Sequence, residues 1–325
     1  MNYIIIDTLK YGIPYALLAL GIFISFRILD IADMSTEGSF TLGGALTAVL
    51  LVFDVNPWLA TIIGACGGFV VGMITGFLHT KLHISSLLSG IITMTAMFSF
   101  NMVIMGLAPR VNVVDGIISI SKVDSGYASA VYLNGFNTSG ERIQTIFNSF
   151  LSIFSKNNYN VIFISIIVVT LVLFILYWFF GTEIGMNIRA TGINHNMAKA
   201  QSINTSMMII LGLGISNALI AASGSLFVQV QGSASNTMGI GALVIGLASI
   251  IIGESIFGSK SFKNWLISVA LGAVIYYFII VMAIRLGLPS YYQKLLYAIL
   301  ILVVLVSPKI KKTHKINMKV LKTGE

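Results

Sequence analysis

The run Val161-Ile-Phe-Ile-Ser-Ile-Ile-Val-Val-Thr-Leu-Val-Leu-Phe-Ile-Leu-Tyr-Trp-Phe-Phe180 passes 20 residues without a charge. A hydrocarbon core about 30 Å thick needs about 20 mostly apolar residues per helical crossing. This one stretch therefore takes the chain into lipid. Working outward, apolar runs recur at about 12 to 28, 39 to 53, 58 to 78, 84 to 108, 205 to 230, 240 to 258, 264 to 286 and 292 to 307. The expected fold is all-α, a polytopic transmembrane helical bundle of about 9 spans, with 8 to 10 allowed. The run at 39 to 53 is short enough for a half-helix or re-entrant segment instead of a full crossing. Composition agrees, because 57% of residues are hydrophobic and only 9% are charged, against roughly a quarter charged in soluble domains.

A net charge of +8 raises the question of nucleic acid, but six of the nineteen basic residues crowd a tail at 309 to 325. That reads as a basic cytoplasmic tail able to touch anionic lipid, with no nucleic-acid partner. Counting back from it puts Lys260, Lys263, Arg189, Lys199, Lys81 and Arg27 inside and the segment 109 to 158 outside the cell. The side of the N-terminus stays open, since it depends on whether the second run crosses. The first apolar stretch lacks a basic leader and a small-residue cleavage pattern, and reads as a span. Cys66 is the sole cysteine, so neither an intramolecular disulfide nor a cysteine-based zinc site can form. In the outer segment, Asp115-Gly116 between Val111-Asn-Val-Val and Ile117-Ile-Ser-Ile predicts a tight hairpin. Ile143, Ile146, Phe147, Phe150, Leu151 and Phe154 predict an amphipathic helix at the outer interface, either a lid packed on the bundle or a docking platform for a substrate-delivery protein. Leu87 to Pro109 laid against Leu266 to Pro289 suggests a parallel internal repeat.

Asp30, Asp33 and Glu37 interrupt this apolar pattern together with Ser35, Thr36 and Ser39. Acids are expensive in lipid unless they meet water or protein. They are expected either in a cytoplasmic loop or on a wet path, and Gly38, Gly43 and Gly44 permit an unwound or closely packed backbone there. Phe98 and Asn101 share a stripe on the fourth run and are candidates to face a solute; Ser86, Ser89 and Thr93 read as packing contacts. Glu254 is expected to pair locally with Lys260 or Lys263. Gly253-Glu-Ser-Ile-Phe-Gly-Ser-Lys-Ser261 nearly spells a phosphate-binding loop, but Ser259 separates Gly258 from Lys260 and no strand precedes it. His79 and His83 lack a third ligand, so no metal site is expected. Nothing pairs a nucleophile with a base, and no enzyme site is read.

The stretch Gly181-Thr-Glu-Ile-Gly-Met-Asn-Ile-Arg-Ala-Thr-Gly-Ile-Asn-His-Asn-Met-Ala-Lys-Ala-Gln-Ser-Ile203 is too patterned for a linker. Ile193, Met197 and Ala200 fall on one helical face, Gly192 breaks the chain before them and Asn194 is an N-cap candidate. A short amphipathic helix across the bundle's inner end is expected. The stretch resembles the coupling-helix loop of ABC import permeases of the ribose and branched-chain amino-acid type. Arg189, Ala190, Gly192, Asn194, Ala198 and Ile203 match that family's pattern, while Ser202 replaces its usual glycine. The segment Arg27 to Gly44 resembles the family's early Asp-x-Ser segment near the translocation path. Ser85 to Gly106 resembles a subgroup whose binding proteins are linked to amino acids, aromatic ones included.

The resemblance implies a permease domain over 1 to 308 with a coupling loop at 181 to 204. It further implies separate ATPase subunits that carry the ATP and Mg, a second permease copy, an external substrate-binding protein and a place in the bacterial cytoplasmic membrane. Asp33, Ser35, Glu37, Phe98 and Asn101 would lie along the substrate path. No cofactor is expected in this chain. An ion-coupled secondary transporter and a non-transporting scaffold or sensor are the competing readings.

Overall fold

The computed structural model describes residues 2–114, 117–121, 126–133, 135–139, 141–149 and 157–285. The order is α1 (Asn2–Phe23), which runs on through a π-helical turn at Ile24–Ile28, then α2 (Thr36–Val52), α3 (Pro57–Thr80) and α4 (Ser86–Gly106). The middle segment holds β1 (Arg110–Val114), β2 (Ile117–Ser121), β3 (Ala130–Tyr132) and α5 (Ile146–Ser149). There follow α6 (Asn157–Phe179), α7 (Glu183–Ile193), α8 (His195–Ala200), α9 (Thr205–Gln231), β4 (Ser233–Ser235), α10 (Ala242–Phe257) and α11 (Phe262–Arg285). The first eight apolar runs are all helices. Among the described residues, six helices are long and apolar enough to cross a membrane, while α2 and α10 are shorter. The run at 292 to 307 and the tail lie outside the described residues.

The centre of the bundle is the antiparallel pair α1 and α9. Two buried serines of α9 donate to α1 carbonyls, Ser216 Oγ to Gly21 at 2.7 Å and Ser223 Oγ to Pro14 at 2.8 Å. In an apolar medium such bonds hold helices together where no water competes. Against the other side of α9 runs α3, whose Gly64, Gly68, Gly72 and Gly76 recur every fourth residue and face α9. A methyl on Gly68 or Gly72 would collide with the carbonyls of Asn217 or Leu213. The stripe lets two backbones meet closely enough for dispersion to replace the hydrophobic effect that lipid does not supply. The opposite face of α3, with Leu59, Ile62, Val70, Ile74 and Phe77, is exposed.

Two elements are broken. After the π-turn the chain reverses at 29 to 35 and climbs back beside α9 until Ser35 stands next to Asn217. Asn217 is roughly 18 Å along α9 from Thr205, so α2 begins near mid-depth. It then runs to the end that carries the strands, where the carbonyl of Val52 accepts from the backbone of Thr138. The half-helix alternative for this run is the geometry found. At the other break, α9 ends at Gly232, the chain returns inward, and α10 starts at Gly241 beside Glu37. From there α10 runs to the end that carries α7 and α8. The events in α1–α2–α3 thus recur in α9–α10–α11 with the opposite sense. The parallel relation suggested for 87 to 109 and 266 to 289 extends only to a shared direction of α4 and α11, and their packing differs. α11 packs on α1 and α10, whereas α4 lies chiefly on α2.

Six of the described basic residues gather at one end. Arg27, Arg189, Lys199, Lys81, Lys260 and Lys263 flank helix ends that meet around α7 and α8. The start of α1 lies at the other end, because Asp7 pairs with Arg285 at the end of α11. The two strands of the predicted hairpin pair, Val114 with Ile117 and Arg110 with Ser121, while Asp115 and Gly116 lie outside the described residues. Only the first part of the predicted outer amphipathic helix falls within the described residues, and it is packed on the bundle. Ile143, Ile146 and Phe147 are buried in the bundle's core, with only Ile146–Ser149 helical among the described residues. Tertiary packing there takes the apolar stripe that the sequence assigned to an interface. Phe150, Leu151 and Phe154 lie outside the described residues.

Candidate functional site

The two broken helices meet at mid-depth and create the first site. The acids at 30, 33 and 37 have three different fates. Asp30 is exposed near the α7 end with φ 57°. Asp33 is 1% exposed. One of its carboxylate oxygens accepts from the Ser35 backbone N–H at 2.8 Å and the Ser35 hydroxyl at 2.6 Å, the other from Asn217 Nδ2 at 2.7 Å. Three donors thus compensate the burial of a charge and pin the returning segment to α9. Glu37 lies in the first turn of α2 and accepts from the backbone N–H of Gly241 at 2.9 Å, so a single side chain bridges the starts of α2 and α10. A carboxylate is well placed beside two helix N-termini.

Glu37 and its neighbours open on a cavity of about 310 Å³. Gly38, Thr41, Asn101 and Asn236 form the inner wall, and Met94, Thr95, Phe98 and Ser99 of α4 form the rim with the exposed Ile240. Thr95, Phe98 and Ser99 are exposed, so the cavity opens on the outside of the single chain. Asn101 is 1% exposed and Asn236 6%. Asn101 Nδ2 donates to the carbonyl of Gly38 at 3.2 Å, which fixes the amide's orientation. Its Oδ1, like that of Asn236, is enclosed by the protein and has no hydrogen-bond partner among the described residues. Leaving a buried polar atom unsatisfied costs about 1–3 kcal/mol, and in a native site it calls for an explanation.

Of the residues expected along the path, Glu37, Phe98 and Asn101 line this cavity, whereas Asp33 and Ser35 stand behind it as part of the buried network. Sequence reasoning missed Asn236, Thr41 and Asn217. The polar break Gly232-Ser-Ala-Ser-Asn-Thr237 was the signal for the first; an asparagine inside an apolar span was the signal for the last.

The second site is the elbow α7–α8. Thr182 caps α7 by accepting from Gly185 N–H at 3.4 Å, and the helix runs unbroken through Gly192 to Ile193. Gly192 is therefore not the break that was expected. It is small because a methyl there would strike the carbonyl of Ile28, where α1 ends against α7. The chain turns at Asn194, which is extended at φ −154° and whose Oδ1 accepts from Met197 N–H at 3.0 Å. That N-cap was legible in the sequence. The face expected to rest on the bundle is the wrong one. Ile193 is 80% exposed and Met197 47%, while Ala198 is buried and Ile203 packs against the core. The turn at Asn194 rotates α8 relative to α7, so a single helical register does not hold through both. Ser202 adopts φ 62°, a left-handed conformation that glycine takes more easily.

Arg189 lies over the ring of Phe262 at 4.6 Å, which ties α7 to the start of α11. Ala190 is half-buried beside it. Glu254 does not pair with the nearby lysines. Arg27 reaches it with Nε at 3.0 Å and its terminal nitrogen at 2.5 Å, and Trp265 Nε1 donates to it at 2.8 Å. The fork geometry of a guanidinium satisfies both carboxylate oxygens, which a lysine cannot do. Burial first, then Lys199 and His79, hold the His195 imidazole on α8 below its ordinary pKa. No group of three metal-binding side chains occurs among the described residues.

The family described as "Branched-chain amino acid transport system / permease component" matches residues 4–305. Among similar proteins, a tyrosine transport system permease protein of Clostridioides difficile (strain R20291) is 35% identical over 324 residues, covering 97% of this chain and 98% of its own. A D-allose transport system permease protein of Escherichia coli K12 is 28% identical over 268 residues, 80% of this chain and 69% of its own. A ribose import permease protein of the same strain is 23% identical over 273 residues, 83% and 74%. No solved structure matches the chain.

Proposed function

Because the chain belongs to the family of branched-chain amino acid transport system permease components, we propose that it forms the solute path of an ABC importer for an amino acid, driven by ATPase subunits that grip α7 and α8. It is a multi-pass protein of the cell membrane and a permease component. The finer reading has the basic end in the cytosol, as the excess of Lys and Arg there favours. An external binding protein delivers the solute at the strand end. ATP and Mg are held by the ATPases.

One observation carries the coupling assignment. The elbow presents Ile193 and Met197 outward while Gly192, Arg189 and Ala198 key it into α1, α11 and the core. An exposed element with a rigid root transmits a push; a loosely attached one absorbs it. A second copy of the chain is supported by the cavity's mouth. Thr95 and Ser99 of α4, with the Glu37 carboxylate of α2 beside them, would meet lipid in a lone chain, at considerable cost. Facing a second copy, the same mouth becomes a central path. The amino-acid assignment draws on the tyrosine permease relative.

The test is transport by proteoliposomes containing the chain and its ATPase. Arg189→Ala with Asn194→Ala loosens the root and the cap of the elbow. The expected result is at least about tenfold less uptake per ATP hydrolysed, with assembly and basal hydrolysis retained. Unchanged uptake per ATP would refute the coupling role.

A further inference from the structure

We propose that a second cavity, at the basic end where α6 stops and α7 and α11 start, seats the phosphate of an anionic phospholipid on Arg189, with the exposed face of α6 as the bed for its acyl chains. The cavity measures about 460 Å³, and its walls include the rings of Tyr177, Trp178, Phe180 and Phe262. Phe180 and Phe262 meet edge to face with centroids 5.4 Å apart and close the gap between α6 and α11. Among the described residues Arg189 is the one charged residue of the lining. It lies over Phe262, whose ring takes up its charge but leaves its five N–H donors unused. The ion pairs among the described residues are Arg27 with Glu254 and Arg285 with Asp7, so no carboxylate there neutralises Arg189. Glu183, in the first turn of α7, is exposed and does not line the cavity. The Thr182 hydroxyl is already spent, since it accepts from Gly185 and donates to the carbonyl of Phe179 at 2.6 Å. Selection of a ligand therefore falls to the guanidinium.

A guanidinium presents a fork of donors that matches phosphate oxygens, and no acid stands beside it in the lining to hold the amine of a zwitterionic headgroup. The surroundings supply the rest of a lipid site. Trp178 is 66% exposed and stands where the apolar length of α6 ends, the level at which tryptophan and tyrosine meet headgroups. From Trp178 an exposed stripe of Phe174, Leu171 and Ile167 runs back along α6, each residue three or four from the next. Phosphate and acyl chains thus find their partners along one face of one helix. Lys260 and Lys263, exposed on either side of Phe262 in the chain, draw anionic lipid to this end without lining the cavity. The inference goes beyond the transport reading. A lipid seated here touches the contact that ties α7 to α11, at the root of the elbow.

The experiment titrates the purified full-length chain in detergent with phosphatidylglycerol, phosphatidylcholine or glycerol phosphate, and counts bound molecules by native mass spectrometry. One phosphatidylglycerol is expected to bind at least about tenfold more tightly than phosphatidylcholine, the effect of a hydrogen-bonded charge pair. Glycerol phosphate, which has the phosphate without acyl chains, is expected not to compete. Arg189→Gln should abolish the preference for phosphatidylglycerol. Lys263→Gln removes the same charge from outside the cavity and should keep that preference. If Arg189→Gln fails to fold, as its size-exclusion profile would show, Trp178→Ala at an exposed position decides, and weaker phosphatidylglycerol binding is expected. Equal binding of the two lipids, or wild-type preference in the variant that decides, would overturn the site. Equal losses in Arg189→Gln and Lys263→Gln would do so by showing a diffuse surface attraction, and competition by glycerol phosphate by showing a soluble-phosphate site. Displacement of the lipid by added ATPase subunits would assign the cavity to a protein interface instead. The titrations without ATPase leave ATP-driven uptake untouched, so failure of this site and failure of the coupling role are told apart.

Discussion

At the residue scale, the contact that most defines this molecule joins Asp33 to Ser35 and Asn217. The carboxylate is buried at a break in the helical pattern and takes three hydrogen bonds, one of them from a residue 184 positions away. Asp33→Ala removes the acceptor and strands Ser35 and one amide hydrogen of Asn217. We expect a loss on the order of 3 kcal/mol, since each orphaned buried group costs about 1–3 kcal/mol. Asp33→Asn should lose less, because its carbonyl still accepts from Ser35 and only the contact with Asn217 opposes donor to donor. Thermal unfolding in detergent checks the order of the two. The acid itself was legible as an anomaly in an apolar chain. Its partner was not, because nothing in sequence spacing connects residues on two helices that meet only through the fold. Asn194 contrasts with it: capping acts over three residues, and the residue type alone announced it.

At the scale of elements, composition located the helices but did not give their depth. A half-helix such as α2 has the same apolar content as a full crossing, and only its length hinted at the break. The return of the chain at 232 to 241 was hidden because the run at 240 to 258 reads as an ordinary span. The faces were similarly uneven. Glycines four apart on α3 mark a backbone contact, but which helix they meet depends on topology. That contact makes a sharp prediction. Gly72→Ala forces α3 from α9 at the carbonyl of Leu213 and should destabilise by about 1–3 kcal/mol, as overpacking does. Cys66→Ala, at an exposed position earlier on the same helix, should leave the unfolding midpoint unchanged. Equal effects of the two would mean that the stripe is not the contact surface of α3.

At the scale of the whole molecule, the fold joins a mid-depth cavity to an exposed elbow through α1 and α9. Both helices reach the elbow, with α1 ending on Gly192 and α9 starting just after α8, and α9 carries Asn217, which holds Asp33 behind the cavity. A displacement of the elbow therefore has a short packed route to the starts of α2 and α10, where Glu37 spans the gap. The central claim is that the elbow faces the cytosol and is held there by an ATP-hydrolysing subunit. Its most direct test places a cysteine at Ile193 in a Cys66→Ser background and measures labelling by a membrane-impermeant maleimide. Sealed cells should leave that cysteine unlabelled, inside-out vesicles should label it, and adding the ATPase subunits should protect it. Labelling from the outside of sealed cells, or full labelling with the ATPase bound, would contradict the account.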